Sequence, residues 1–565
     1  MSPIQQAKTQ VIQALKTAVG QGFVPCVDEL TLPPEPAMGD LAFPCFDLAK
    51  KLKRNPAEIA AEIAAKIGPK GLIASANDIG PYVNFRFDTT KLCESVFSQV
   101  GEAYGSSDIG KDKRVMVEFA NLNTHKEVHI GHLRNLFLGQ TIVNLLKYSG
   151  FDVIPVSYIN DLGLHVAQSV WAMKTMHDGE KVAPKDRIDF LRRVYVEANE
   201  AIEADATVKI QVSEMFRRLE TLRGGENALW KQTRKWSLAY LKEIYAELEL
   251  TIDHWYFEST LIAKTKKIIE GLIKKGIVVQ SQGAWIVDLR DEGLGVNLLI
   301  KSDGTLLYNA KDLGLALKKE EDYHCVRSIY VVDARQSHAL AQLFATLKRM
   351  GFERELTHLS YEFVTLAGGA MASRKGNVIR YEALRDAMLE EARVETRKRH
   401  TQWGEKEVEA VSRGVAFAAM RFGMLKQDTA KKIVFDMREV LSFDGFTGPY
   451  LLYTYARIQS LLKKASTARL GKTAKTLTDA HSHDLVFRLA LFPETLFRAT
   501  QELEPAHLAQ YLFDLAKSFS SFYEQVPILK APPAQMKERL VLARATGEVL
   551  KDGLKLLGIE TVEEM

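Results

Sequence analysis

The sequence is poor in cysteine and has no long apolar run. Its 565 residues contain four cysteines, Cys26, Cys45, Cys93 and Cys325, and no Cys-x-x-Cys pair. This excludes a zinc ribbon and a thioredoxin-like motif, and it fits a reducing compartment. No run approaches the roughly 18 apolar residues of a membrane-spanning helix. The first residues alternate polar and apolar side chains at helical spacing, so we expect no signal peptide, no membrane partner and a cytoplasmic protein.

An excess of charge of one sign is also missing. Lys and Arg number 75 and Asp and Glu 71, which leaves a formal net charge of +4. A basic footprint for nucleic acid must therefore be local. With 46% apolar and 26% charged residues, the composition excludes disordered and fibrous classes. At about 100–200 residues per domain, the length predicts three or four domains.

Changes of pattern divide the chain into three parts. Residues 1–110 indicate an α+β unit with two helical stretches hinged at Pro56 and a strand over residues 82–87. Residues 111–440 have an α/β pattern, interrupted at about 165–250 by a charged helical insertion. Residues 441–565 are helical throughout.

Alternation of strand and helix in the middle part predicts a parallel sheet. We expect strands at 115–120 and 153–159 around a helix at 131–148, which is a βαβ unit with a right-handed crossover. The same order returns as a strand at 328–332, a helix at 336–350 and a strand at 359–366. The fold class is therefore α/β.

A polar loop with three histidines lies between the first strand and helix of that unit. His129 and His132 are three residues apart and share one face of the predicted helix start. Gly131 lets a ligand approach the backbone closely. A helix N-terminus offers free N–H groups and a partial positive charge, and Lys126 adds a full charge. The pattern predicts a phosphate site; the alternative is a surface loop with unrelated histidines.

His129-Ile130-Gly131-His132 resembles the HIGH signature of class I aminoacyl-tRNA synthetases. The surrounding NTHKEVHIGHLRN resembles arginyl-tRNA synthetases in particular, where a lysine three residues before the first histidine is characteristic. Three further segments are similar to that family: GDLAFPCFDLAKKLKRNP, LSFDGFTGPYLLYTYARIQSLLKKA and the ending LLGIETVEEM. In this order they make the resemblance highly specific over most of the chain.

The resemblance implies a fold, a reaction and partners. Residues 111–440 would form a Rossmann-type catalytic domain, residues 1–110 a tRNA D-loop-recognition domain, and residues 441–565 a helical anticodon-binding domain. The protein would use ATP as a substrate, with Mg²⁺ on the nucleotide, to form arginyl-adenylate and then charge the 3′-terminal ribose of tRNA(Arg). We expect a monomer without protein-bound zinc or other metal. The alternatives are a non-catalytic tRNA-binding paralogue and a class I synthetase for another amino acid.

The second class I signature, Lys-Met-Ser-Lys, is altered in this chain. The matching segment begins at Ala370, which replaces the leading Lys, and Ala372 replaces a Ser. The resemblance places ATP contacts at Met371, Ser373, Arg374 and Lys375. Arg374 and Lys375 could replace the missing charge, or Lys126 could, and we favour Lys126.

A substrate guanidinium requires carboxylates, because its paired N–H donors match paired oxygens. Tyr308 and Asp312 lie one helical turn apart at a predicted helix start. The resemblance assigns both to the arginine pocket, and it adds Glu258, Asn123 and Gln336. Without it, Asp312 would be a helix-dipole acid, Glu258 a surface carboxylate and Gln336 a polar residue at a helix start.

Two aromatic segments are candidates for tRNA contact. Residues 450–475 contain basic residues and no acidic one, and Tyr450, Tyr453 and Arg457 lie among them. Unpaired bases stack on aromatic rings while cations follow phosphates. Tyr82 and Asn84 lie two apart on a predicted strand, hence on one face, and resemble residues that contact the D-loop. A solvated helix face and an edge-strand tyrosine are the alternatives.

Overall fold

The computed structural model describes residues 1–20, 23–221, 224–366, 379–465 and 475–565. The chain divides into two compact units. One comprises Met1–Ser107, Ala392–Phe422 and Glu439–Met565, and the other comprises Asp108–Glu391 and Gly423–Arg438. Within the described ranges, no helix is both long and apolar enough to span a bilayer.

The N-terminal segment is α+β, as expected. Its elements are α1 (Pro3–Val19), β1 (Leu41–Pro44), α2 (Phe46–Leu52), α3 (Pro56–Lys66), β2 (Ile73–Ile79), β3 (Tyr82–Phe87) and α4 (Thr89–Gln99). The strands form an antiparallel sheet in the order β1-β3-β2. Pro56 opens α3, and the Asn55 side chain accepts the Ala57 N–H at 2.9 Å. The predicted hinge at Pro56 and the predicted strand β3 are both confirmed.

The middle of the chain alternates strands and helices. In order these are β4 (Arg114–Glu118), α5 (Ile130–Tyr148), β5 (Asp152–Ile159), α6 (Leu164–Met176), α7 (Arg187–Ala204), α8 (Ala206–Glu220), α9 (Glu226–Glu247), β6 (His254–Phe257), α10 (Glu258–Lys274), β7 (Val279–Ser281), β8 (Ala284–Asp288), β9 (Val296–Ile300), α11 (Tyr308–Tyr323), β10 (Arg327–Asp333), α12 (Ser337–Arg349), β11 (Glu355–Tyr361), β12 (Val364–Leu366), α13 (Tyr381–Arg399), α14 (Glu405–Leu425) and β13 (Ile433–Phe435). Five strands form a parallel sheet in the order β11-β10-β4-β5-β6. The predicted α/β class is confirmed, and four helices, α6 to α9, lie in the region of the predicted insertion.

The C-terminal part is helical, as predicted. It contains α15 (Met437–Val440), α16 (Gly448–Lys464), α17 (Ala480–Gln501), α18 (Ala506–Gln525) and α19 (Pro533–Leu556). The N-terminal segment belongs to the same compact unit as these helices and packs on α17. Lys8 pairs with Glu494 at 2.6 Å, and the Tyr104 hydroxyl donates to the Leu489 carbonyl at 3.0 Å.

One predicted strand is wrong. Residues 359–366 do not form a single strand, because β11 ends at Tyr361 and β12 begins at Val364 and pairs with β13 instead. The backbone of Glu362, which lies between these two strands, makes its hydrogen bonds outside the sheet. Its N–H donates to the Thr429 carbonyl at 2.9 Å, and its carbonyl accepts from the buried Arg134 guanidinium at 2.5 Å.

Helix α5 packs tightly on the sheet and so fixes the position of its own N-terminus. The Asn135 side chain accepts the Ala120 N–H and donates to the Val331 carbonyl, both at 2.7 Å, which ties the helix to the chain following β4 and to β10. A Cβ added at Gly139 would lie 2.2 Å from the Phe119 ring. Only glycine allows this close helix-to-strand approach.

Candidate active site

Three predicted site residues follow the carboxyl ends of parallel strands. Asn123 follows β4, Glu258 follows β6, and Gln336 follows β10. Carboxyl ends of parallel strands lie at one edge of the sheet, where ligands of open α/β sheets bind. Asn123 forms a parallel backbone bridge with Asn160, and the Thr124 N–H donates to the Asn160 carbonyl at 3.1 Å. The polar loop is thereby held beside the end of β5.

His129 and His132 lie against each other at the start of α5. His129 is the N-terminal cap, in an extended conformation, and its N–H donates to His132 Nδ1 at 3.1 Å. The two rings stack with centroids 3.6 Å apart. Nδ1 of His129 is buried and has no hydrogen-bond partner among the residues that the structure describes.

Both imidazoles are held in the neutral form. Burial, with the neighbouring Lys126 charge, lowers the pKa of His129 to about 4. Burial, His129 and Lys126 together lower the pKa of His132 well below its ordinary value. Neutral rings at a helix N-terminus donate hydrogen bonds to phosphate oxygens without repelling each other.

Lys126 supplies the full positive charge of this corner. Its side chain is exposed, and its Nζ lies 5.3 Å from the centroid of the Tyr195 ring on α7. No carboxylate within the described part of the chain pairs with it. The ammonium is therefore available to an anionic ligand.

The chain returns to this corner after the second signature. The Ile130 N–H donates to the Ile379 carbonyl at 3.2 Å, and His129 forms a backbone bridge with Arg380. The signature residues Met371, Ser373, Arg374 and Lys375 lie outside the described residues. The described chain resumes directly beside the two histidines.

Two acids of the predicted arginine pocket have raised pKa values. Glu258 is fully buried at the start of α10, and burial raises its pKa to about 7 against the lowering effect of Lys311. Asp312 is partly buried on α11, and burial followed by the charges of Glu118 and Glu258 raises its pKa to about 7. The reading of Glu258 as a surface carboxylate is excluded by its burial.

Lys311 lies between Glu258 and Tyr308. Its buried ammonium forms an ion pair with Glu258 Oε1 and lies 5.7 Å from the centroid of the Tyr308 ring. Tyr308 begins α11 and is 60% exposed. The structure thus brings together Glu258, Asp312 and Tyr308, whereas Gln336 lies exposed after β10.

Two buried groups beside the acids were missed from the sequence. The Tyr158 hydroxyl on β5 is buried without a partner in the described chain, and burial with the charges of Glu258 and Asp312 raises its pKa. Asp161 accepts from Arg234 at 2.6 Å and from the Ser259 hydroxyl at 2.7 Å. Neither group belongs to a local motif: the partners of Asp161 are distant in sequence, and Tyr158 is an ordinary strand residue in the sequence.

Lys311 was also missed, although a signal was present. Lys311, Leu315 and Lys319 are spaced by four residues and therefore share one face of α11. All three are buried, and Lys319 pairs with the buried Glu118. A lysine on an apolar helix face indicates a buried ion pair.

The predicted tRNA contacts lie in the other unit. On β3, Tyr82 is 36% exposed and its ring packs edge-on against Phe46, but Asn84 is only 4% exposed. On α16, the Arg457 guanidinium donates to the Tyr453 hydroxyl at 3.0 Å and lies 5.3 Å from the centroid of the Tyr523 ring. The Tyr450 hydroxyl lies 3.3 Å from that of Ser520.

Three family models match successive parts of the chain. The model described as tRNA synthetases class I (R), catalytic domain, matches residues 95–437. The Arginyl tRNA synthetase N terminal domain matches residues 5–87, and the DALR anticodon binding domain matches residues 451–565.

Relatives match over nearly the full length. The arginine–tRNA ligase of Bdellovibrio bacteriovorus is 39% identical, with 98% of each chain covered. That of Clostridium kluyveri is 34% identical, with 95% of this chain and 96% of the relative covered. The structure of Thermus thermophilus arginyl-tRNA synthetase superposes with a TM-score of 0.82 at 28% identity, covering 99% of this chain and 100% of the other.

Proposed function

Because the chain belongs to the arginyl-tRNA synthetase family, it is an ATP-dependent arginine–tRNA ligase, and we propose here how its residues divide that work. The arginine carboxylate attacks the α-phosphate of ATP, which gives arginyl-adenylate and pyrophosphate. The terminal ribose hydroxyl of the tRNA then takes the arginyl group and releases AMP. Neither step needs a protein nucleophile, so catalysis rests on positioning and on stabilising charge at the phosphates.

The ATP phosphates bind at the N-terminus of α5. His129 and His132 donate hydrogen bonds, Gly131 permits close backbone approach, and Lys126 supplies the cation that the altered second signature lacks. The stacked neutral rings support this assignment, and so does the Lys126 ammonium, which pairs with no carboxylate among the described residues. Met371, Ser373, Arg374 and Lys375 complete the ATP contacts in this proposal.

The substrate guanidinium binds between Glu258 and Asp312, with Tyr308 at its side. Asn123 holds the α-amino and carboxylate ends, and Gln336 is a further residue of the pocket. This proposal rests most on one observation: the two acids lie near each other, and burial holds both pKa values near 7. A fork-shaped cation offsets the part of that burial which the single Lys311 ammonium leaves, whereas the neutral analogue citrulline does not.

Transfer RNA contacts come from the terminal parts of the chain. We assign residues 1–110 to the D-loop through Tyr82 and Asn84, residues 111–440 to catalysis, and residues 441–565 to the anticodon through Tyr450, Tyr453 and Arg457. The exposed Tyr82 ring supports the first contact, and the Arg457 guanidinium beside two tyrosine rings supports the second.

Mg²⁺ accompanies ATP in this proposal. No group of three or more His, Cys, Asp or Glu side chains in the described ranges is arranged to hold a metal ion. The phosphate oxygens of the nucleotide are the hard ligands that Mg²⁺ prefers, and the cation neutralises part of their charge when bound. We further propose that the protein is a cytoplasmic monomer.

Pyrophosphate exchange into ATP tests the assignment directly. The assay is run with and without tRNA(Arg), offering arginine, citrulline and lysine in turn. We expect exchange with arginine only. Exchange with another amino acid would contradict the proposed pocket, and no exchange under either condition would indicate a tRNA-binding protein without activity.

A further inference from the structure

A buried ammonium already lies within the proposed guanidinium site. Lys311 is 4% exposed, its Nζ pairs with Glu258 Oε1, and the same Nζ lies 5.7 Å from the Tyr308 ring centroid and 5.9 Å from that of Phe216. Asp312 follows it directly on α11. Removing an ammonium from water is costly, so this one must be offset by the acids around it.

The ion pair uses only half of the Glu258 carboxylate. Oε1 accepts from Lys311, whereas Oε2 is buried and finds no hydrogen-bond partner within the described residues. A buried acceptor without a partner is unfavourable, because nothing replaces the hydrogen bonds to water that it loses on burial. An incoming guanidinium, with five N–H donors and no acceptor, is suited to supply the missing bonds.

We propose that Lys311 is a positioning residue for arginine, which holds Glu258 ionised and turned so that Oε2 faces the substrate. The inference rests on the proposed role of Glu258 in the pocket. Lys311 donates to one oxygen and leaves the other for the guanidinium, so the two cations share one carboxylate.

The charges around Glu258 determine what losing Lys311 would do. Lys311 and Asp312 face it from α11, Glu220 from α8, Asp161 from the loop after β5, and Tyr158 from β5. Arg234 forms its ion pair with Asp161, and Lys311 forms its ion pair with Glu258. Among the described residues, Lys311 is therefore the cation that neutralises Glu258. Without it, burial and the remaining acids favour the protonated carboxyl, which binds a guanidinium poorly.

Arginine binding by a variant without Lys311 should strengthen as the pH rises. Only the ionised Glu258 attracts the cation, and a pKa that rises above the working pH reduces the ionised fraction about tenfold per unit. A Lys311→Met variant should therefore bind arginine weakly at neutral pH and recover as the pH increases.

The test measures arginine KM and kcat in tRNA charging at saturating ATP, between about pH 6 and pH 9. For Lys311→Met we expect an arginine KM about 10- to 100-fold above wild type at pH 7, a gap that narrows as the pH rises, and a kcat nearly unchanged. Lys311→Arg should restore the wild-type profile. Lys318→Met, at a partly exposed position on the same helix where the lysine pairs with Asp322, is the matched control and should behave as wild type.

Two results would overturn the proposal: an arginine KM for Lys311→Met within twofold of wild type, or a raised KM whose ratio to wild type is the same at every pH. If Lys311→Met does not fold, Lys311→Gln keeps a donor to Glu258 without the charge and should show the same narrowing gap. If the wild-type enzyme does not charge tRNA with arginine, the proposed function is refuted. If the ratio of the variant arginine KM to the wild-type KM does not change with pH, only the role of Lys311 is refuted.

Discussion

His129 stacks on His132 with ring centroids 3.6 Å apart, and the backbone N–H of the first donates to Nδ1 of the second. Two imidazolium cations at this separation would repel each other strongly. The lowered pKa values of both rings prevent that repulsion near neutral pH. The pair therefore reaches the reaction as two neutral groups of fixed orientation.

Replacing either histidine should slow arginine activation without weakening arginine binding. For His132→Gln we expect pyrophosphate exchange to fall about 10²–10³-fold, since one preorganised donor to the phosphates is lost. The arginine KM should change little. Wild-type kcat at saturating arginine and ATP should vary less than about twofold between pH 6 and pH 8, because the pKa of His129 is about 4. His338→Gln, at an exposed position on α12, is the control; an equal loss there would contradict the assignment.

Lys126→Ala should depress adenylate formation far more than Lys375→Ala. The Lys126 charge lowers the pKa of both histidines, and the ammonium has no carboxylate partner in the described chain. We therefore expect it to stabilise the negative charge of the departing pyrophosphate. Single-turnover formation of arginyl-adenylate measures the effect. Equal losses in the two variants would remove Lys126 as the replacement for the missing signature lysine.

Asp312→Asn should raise the arginine KM steeply and leave the ATP KM nearly unchanged. The neutral amide cannot offset the guanidinium charge, and loss of one partner of a buried charge pair costs about 2–5 kcal/mol. In the wild type, arginine KM should fall as the pH rises from 6 to 8, because the pKa values of Asp312 and Glu258 are about 7 and only their ionised forms bind the cation. An unchanged arginine KM in the variant would remove Asp312 from the pocket.

Gly139→Ala should destabilise the protein, whereas Gly271→Ala should not. A Cβ at Gly139 would lie 2.2 Å from the Phe119 ring, so overpacking should cost about 1–3 kcal/mol or more. Gly271, also helical, has no heavy atom within 4 Å of an added Cβ, and alanine there should stabilise α10 by about 0.5–1 kcal/mol. Urea unfolding of the two variants provides the comparison. Equal midpoints would show that α5 does not pack as closely as described.

Tyr82→Ala should raise the tRNA KM in charging and leave the KM values of arginine and ATP unchanged. We expect a loss of about 1–3 kcal/mol, the contribution of one base stacked on an aromatic ring. A point variant is preferable to removal of residues 1–110, because that segment packs on α17 through contacts such as Lys8 with Glu494. An unchanged tRNA KM would refute the contact.

Elements with clear flanking signals could be predicted from the sequence. Helix α5 and strand β3 have the expected positions, because Gly150 follows the apolar run of the helix and Gly80 and Pro81 precede that of the strand. The carboxyl-end location of Asn123, Glu258 and Gln336 follows once the strands are parallel. These parts of the site are encoded by short segments.

Long-range contacts could not be predicted in this way. Lys311 and Glu258 are 53 residues apart, and Arg134 reaches the Glu362 carbonyl across 228 residues. No local pattern indicates that Lys311 pairs with the carboxylate proposed to bind the substrate. Nor does one indicate that Arg134 binds the backbone just after β11. Such pairings depend on tertiary packing, which overrides local propensity.

The most direct test of the central claim is the ratio of kcat/KM for arginine to that for citrulline in pyrophosphate exchange with tRNA(Arg) present. If Glu258 and Asp312 bind the substrate guanidinium, this ratio should be about 10⁴ or more for the wild type. In Asp312→Asn the ratio should be at least tenfold lower. A wild-type ratio near one, or a ratio that Asp312→Asn leaves unchanged, would contradict the account.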